Sequence, residues 1–207
     1  MNITRSLIRR ATVLAAVGAA SVLLAACGSG SDGSAGHDGH SSASASASQS
    51  QHNAADVAFA QGMIPHHRQA VEMADLAASR AKLSQVKKLA SDIKKAQDPE
   101  IKTLSGWLTS WGESVPSQDA MDHSTHGMHG MDGMMTSQEM DELEKASGAA
   151  FDTAFLRMMI KHHEGAVEMA KTEKANGAYA PTTKMADQII SSQSEEVDTM
   201  KQLLGKS

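Results

Sequence analysis

The sequence predicts an all-α protein, a four-helix bundle assembled from two copies of one αα-hairpin. Three observations predict it. FAQGMIPHHRQAVEMA at Phe59–Ala74 returns as FLRMMIKHHEGAVEMA at Phe155–Ala170, offset by 96 residues with no gap. Across Asp56–Ala74 and Asp152–Ala170, 12 of 19 positions are identical, so one supersecondary unit is used twice. Within each copy the apolar residues recur at alternating three- and four-residue steps, the period of a helix face. Aromatics are only 3% of the chain while Ala and Met are abundant, which favours helices over sheets.

The elements follow in order. Asn53 is a plausible N-cap, with Asp56 in the first helical turn. Positions 56, 59, 63, 66, 70, 73 and 77 hold Asp, Phe, Met, His, Ala, Met and Ala; positions 60, 64, 67, 71 and 74 hold Ala, Ile, His, Val and Ala. Together they make one wide inward face on a helix ending near Arg80. Ser84 can cap a second helix, whose face is Val86, Leu89, Ile93, Gln97, Glu100, Ile101 and Leu104, with Trp107, Leu108 and Trp111 at its end. Pro99 falls inside it and is expected to kink or locally break it. A short segment, Ser137–Lys145, precedes a third helix over Ala149–Asn176, closed by Gly177. The fourth begins near Pro181, a favoured first-turn residue, and runs to about Leu204. The offset persists there, matching Leu89 with Met185, Ile93 with Ile189, Gln97 with Gln193 and Glu100 with Glu196. Two such hairpins related by a pseudo-twofold axis make a bundle, and the two histidine pairs are expected to approach each other across that axis.

The start of the chain says where it works. Arg5, Arg9 and Arg10 precede an apolar run over Ala11–Ala26, so residues 1–26 read as a signal peptide. Leu24-Ala25-Ala26-Cys27 reads as a lipobox, with Cys27 lipidated and becoming the mature N-terminus; an ordinary cleavage site with Cys27 incidental is the alternative. Residues 27–52 read as a flexible Gly/Ser-rich tether. The bundle domain is 53–207: repeat one 53–112, a His/Met-rich linker 113–136, repeat two 137–207. The expected location is the extracytoplasmic face of the cell membrane, through the lipid on Cys27. Cys27 is the only cysteine, which excludes an intrachain disulfide and thiolate metal sites in the folded part. Without residues 1–26 the chain carries 16 Lys and Arg against 24 Asp and Glu. That balance argues against nucleic acid as a partner and suits attraction of cations.

The chemistry lies in the histidines and methionines. Met63, His66, His67 and Met73 share one helical face, as do Met159, His162, His163 and Met169. Imidazole suits Cu(II), Zn, Ni and Fe, and thioether selects Cu(I); the mixture is the one expected for copper in either oxidation state. Gln97, Glu100, Gln193 and Glu196 are candidate supporting ligands from the neighbouring helices. The competing reading is that the histidines are hydrogen-bonded core and the methionines gap-fillers. Residues 119–135, DAMDHSTHGMHGMDGMM, point the same way. There Met121, His123, His126, Met128, His129, Met131, Met134 and Met135 form a weaker loop set. The tract is too polar and Gly-rich to be a core element, and tracts of this composition bind metals.

Asp-x-x-Phe, Met-Ile-x-His-His and Ala-Val-Glu-Met-Ala occur in both copies, and Trp-Leu-x-x-Trp-Gly ends the second helix. In these motifs the chain resembles the bacterial domain-of-unknown-function 305 family from Asp56 to Leu204. The resemblance implies a ferritin-like helical bundle, export from the cytoplasm, and a role in handling metals, copper above all. Three functions remain open on the sequence: a copper-binding lipoprotein that buffers or delivers the metal, a structural or partner-binding helical lipoprotein without metal, and a ferritin-like redox enzyme. The last needs inward carboxylates and Glu-x-x-His motifs, and the chain has no Glu-x-x-His. No catalytic constellation is recognisable, so the protein is expected not to be an enzyme.

Overall fold

The computed structural model describes residues 51–117 and 133–205. The signal segment, Cys27, the tether up to residue 50 and residues 118–132 lie outside them. Five helices lie among the described residues: α1 (Ala54–Arg80), α2 (Ser84–Trp111), α3 (Ser137–Lys145), α4 (Gly148–Asn176) and α5 (Ala180–Leu204). The long ones form two αα-hairpins, α1 with α2 and α4 with α5, joined mainly where α1 packs on α4. The fold is a ferritin-like four-helix bundle, as the repeat predicts.

Local chemistry sets the ends. Asn53 caps α1 in a capping box: its side chain accepts from the N–H groups of Ala55 and Asp56, and its own N–H donates to Asp56. Thr136 and Glu139 do the same for α3. Ser84 is not a cap; Leu83 takes that position without a side-chain bond. The expected break at Pro99 does not occur, and α2 runs through it. Likewise α1 continues through Pro65, which is buried. Burial of the apolar face outweighs the one backbone bond that each proline removes.

All seven positions of the central α1 stripe, 56 to 77, are buried, as is every flanking position except the half-buried Val71. The apolar core divides into two clusters. One holds Met73, Ala77, Leu89, Ile93, Phe151, Phe155 and Met159. The other holds Phe59, Met63, Ile64, Leu104, Leu108, Ala166 and Ile189. Each fully buried large side chain contributes roughly 1.5–3 kcal/mol. The pseudo-twofold axis exchanges the clusters: Met63 and Met159, 96 residues apart, lie in opposite ones.

The same offset governs the polar contacts between the hairpins. Asp56 accepts from the N–H groups of Ala178 and Tyr179, at 3.1 and 3.0 Å, in the α4–α5 turn. Asp152 accepts from Lys82 and Leu83, at 3.0 and 2.9 Å, in the α1–α2 turn. Each hairpin therefore fastens the other's turn with a buried carboxylate. Bonds to charged groups are among the stronger hydrogen bonds, roughly 1.5–3 kcal/mol each, so this pair helps hold α1 against α4 in register.

Candidate metal centre

The two histidine pairs meet where α1 crosses α4. The rings of His66 and His162 face each other with centroids 3.8 Å apart and planes inclined by 44°. All four histidines, His66, His67, His162 and His163, are fully buried. Consecutive residues on a helix point about 100° apart, so His67 and His163 turn toward their own hairpins. Nε2 of His67 lies 2.8 Å from Oε2 of Glu100, and Nε2 of His163 lies 2.7 Å from Oε2 of Glu196. A carboxylate only accepts, so each Nε2 carries the hydrogen and the lone pair of a neutral ring would lie on Nδ1. Nδ1 of His67 and of His163 is buried without a hydrogen-bond partner among the described residues. A ring fixed by a carboxylate on one nitrogen and open on the other is the arrangement of a histidine held ready for a metal.

Burial is the main force keeping His162 well below the usual imidazole range, reinforced by the neighbouring His66, His163 and His67. The ring therefore stays neutral, the form that binds metals. Thioethers lie in both apolar clusters. Met73 and Met159 lie in one apolar cluster, Met63 and the half-buried Met169 with the other. Gln97 and Gln193 are 2% and 3% exposed, and the Oε1 of each is buried without a hydrogen-bond partner. Among the described residues no three His, Cys, Asp and Glu side chains gather around one point. The donors added to imidazole in this layer are sulfur and amide oxygen.

The structure thus brings together Met63, His66, His67, Met73, Met159, His162 and His163 in the interior, and places Glu100 and Glu196 on the histidines. Of the loop set, Met121, His123, His126, Met128, His129 and Met131 lie outside the described residues. Met134 is half-buried, and Met135 corrects the reading of residues 113–136 as too polar to enter the core. Met135 is 5% exposed and packs in the cluster of Met73 and Met159. The cause is Gln69, whose amide accepts from the Met135 N–H at 2.7 Å and donates to its C=O at 2.9 Å. Sequence reasoning missed Gln69, although one signal was available: its repeat partner is Gly165, a mismatch within the most similar stretch of the two copies.

The geometry defines a helical-bundle protein with a buried histidine–thioether layer between two repeats. The chain belongs to the DUF305 family, a domain of unknown function whose model matches residues 56–204. A candidate secreted DUF305 protein from Streptomyces coelicolor is 34% identical with a TM-score of 0.66, the match covering 73% of this chain and 93% of that one. CopM in its Cu(II)-bound form is 39% identical with a TM-score of 0.63, over 73% of this chain and 96% of that one. CopM has also been solved in Cu(I)-bound and Ag-bound forms. A DUF305 fragment from Deinococcus radiodurans is 29% identical, with a TM-score of 0.65, over 76% of this chain and all of that one. No curated protein matches the chain.

Proposed function

We propose that this protein binds copper outside the cytoplasm, as a buffer or delivery protein rather than an enzyme. The observation that carries the reading is the facing pair His66 and His162, 3.8 Å apart and wholly buried, with inward thioethers in both apolar clusters. The buried Nδ1 atoms of His67 and His163, without a hydrogen-bond partner among the described residues, are donors that a soft metal can use together with the thioethers. Similarity to CopM, crystallised with Cu(I), Cu(II) and Ag, supports the same choice of metal. The His/Met tract of residues 119–135 serves as a second, weaker set. The N-terminal lipobox supports anchoring of the protein through Cys27.

Competition titration of untagged protein with Cu(I), Cu(II), Zn(II) and Fe(II), with metal counted per chain, tests the reading. A tight copper site lost in the double variant His66→Ala/His162→Ala, with weaker copper uptake retained, is the expected result. Wild-type uptake no greater than that of serum albumin overturns it, as does a double variant that binds as tightly as wild type. The anchor has its own test: Cys27→Ala should move the protein from the membrane fraction to the soluble fraction, and unchanged retention refutes the lipid.

A further inference from the structure

We propose that Met135, which follows the first repeat by more than 20 residues, supplies a thioether to the bundle's soft-metal site, and that Gln69 is the positioning residue that puts it there. The inference rests on the copper reading above and adds a ligand from outside both repeats. Its basis is a set of departures from the internal symmetry. Position 69 of the first copy is Gln, and its partner 165 is Gly. The Met63/Met159, His66/His162, His67/His163 and Met73/Met169 pairs are all duplicated, so the mismatch one turn beyond His66 calls for an asymmetric occupant.

The occupant is the segment Gly133–Met135. Gly133 has φ +91°, and a Cβ on it would lie 2.7 Å from the Lys161 carbonyl oxygen, 2.9 Å from Gly165 Cα and 3.0 Å from the His162 carbonyl oxygen. The segment therefore rests on the α4 backbone at His162 itself, in space that a side chain at 165 would fill. Two residues later Gln69, one turn beyond His66 on α1, holds both backbone polar groups of Met135. Gln69 is 5% exposed, and a buried amide is costly unless both its ends are used; here both are used on one residue. Arg68 supports the same arrangement from its other side, donating through Nη1 to the Pro116 carbonyl at 2.7 Å. The chain entering and the chain leaving residues 118–132 are thus held by adjacent residues, directly after the His66–His67 pair.

The outcome is a further buried thioether in the cluster that also holds Met73, Met159 and Met200. Met159 is one turn from His162 and Met73 two turns from His66, on the histidine faces. A thioether added to imidazole on this face selects a soft monovalent ion, Cu(I) or Ag(I), over Cu(II) or Zn(II). The two sides of the layer are not equivalent, and the side that receives Met135 is the one that takes the monovalent ion.

The test uses the full chain. Met135→Leu keeps the apolar volume and removes the sulfur. It should weaken Cu(I) binding by roughly tenfold or more, measured against a chromogenic Cu(I) chelator, remove one sulfur neighbour from the copper X-ray absorption spectrum, and leave Cu(II) affinity and the melting temperature nearly unchanged. Gln69→Leu should lower Cu(I) affinity by a similar factor, the usual effect of losing a group that orients a ligand. It should also remove the same sulfur neighbour although Met135 is still present, a readout that a purely structural role would not move. Met134→Leu should do neither. A Met135→Leu protein with wild-type Cu(I) affinity and sulfur count overturns the inference and leaves the copper reading standing. A wild-type protein that takes up no Cu(I) overturns both.

Discussion

Glu173 makes the stability of this bundle fall as pH rises through neutrality. Its side chain, 1% exposed, shares the far end of α4 with Asp56 and Thr182. Burial pushes the Glu173 carboxyl up to about 7 from an ordinary 4.5; Thr182 opposes the rise, and the hydrogen bond to Asp56 and its charge add to it. Asp56 goes the other way. Burial would raise it, but hydrogen bonds from Thr182, the Asn53 N–H, Glu173 and the Tyr179 N–H bring it to about 2. Glu173 thus holds its proton beside an ionised Asp56. The folded state keeps that proton to about pH 7, whereas the unfolded chain releases it near 4.5. Between these values the native state holds more protons, so stability is lost as pH rises. The contribution is complete below pH 4.5 and gone above about 7, with a size of ~3 kcal/mol. Glu173→Gln keeps the shape and a permanent donor to Asp56. Urea or thermal melts of metal-free protein followed by circular dichroism should show the two proteins alike near pH 4.5. By pH 8 the variant should be more stable, by on the order of 6–12 °C in Tm. Taking the difference cancels His162, whose lowered pKa pulls the other way in part of the window. Stability curves of wild type and variant that stay parallel from pH 4.5 to 8 would refute the raised Glu173 carboxyl.

Three further outcomes follow from the geometry. Gly177→Ala places a Cβ 2.2 Å from Oε1 of Glu173 and should destabilise the protein by about 1–3 kcal/mol; Glu173→Ala should restore part of it, and a neutral Gly177→Ala would show that the carboxyl lies elsewhere. Asp152→Ala strips the N–H groups of Lys82 and Leu83 of their acceptor and should cost about 2–4 kcal/mol in denaturant titration, where a loss below about 0.5 kcal/mol would mean that water replaces it. Glu100→Ala with Glu196→Ala should lower copper affinity by roughly 10–100-fold with unchanged helicity, and wild-type affinity in that variant would show that the carboxylates do not orient the rings.

The helices and the histidine face were legible because they rest on local pattern. Three- and four-residue spacing gave the inward set on α1 and α4, and the duplicated His-His placed both pairs at the crossing. Glu100 and Glu196 were legible only as supporting candidates, since the sequence gives no distance between the helices of a hairpin. Pro99 misled because its local cost is read from sequence, whereas the packing that overrides it is not. Asp56 looked like an ordinary first-turn acid; its bonds to residues more than 120 positions away leave no local trace. Met135 misled most, since composition assigned residues 113–136 to the outside and a single buried amide brings their end in.

The repeat itself shows where to look for such long-range effects. If the two copies were equivalent in every contact, substitution between them would be free, and mismatches would scatter. Two groups of inward mismatches mark places where the hairpins do different work. Ala77 and Ala81 match Glu173 and Gly177, and Val86 matches Thr182. These three changes put a second buried carboxyl, Glu173, beside Asp56, leaving Asp152 at the other end as an internal control without one. Gln69 against Gly165 does the same at the histidine layer, where one member clamps the connecting segment and the other makes room for it. Installing the first repeat's residues in the second separates the two devices. Glu173→Ala with Gly177→Ala and Thr182→Val should abolish the fall in stability with pH and leave Cu(I) affinity unchanged. Gly165→Gln should displace the segment at Gly133 and weaken Cu(I) binding while the pH profile stays wild-type. If either change altered both properties, the ends and the middle of the bundle would be coupled, and the assignment of each mismatch to one device would fail.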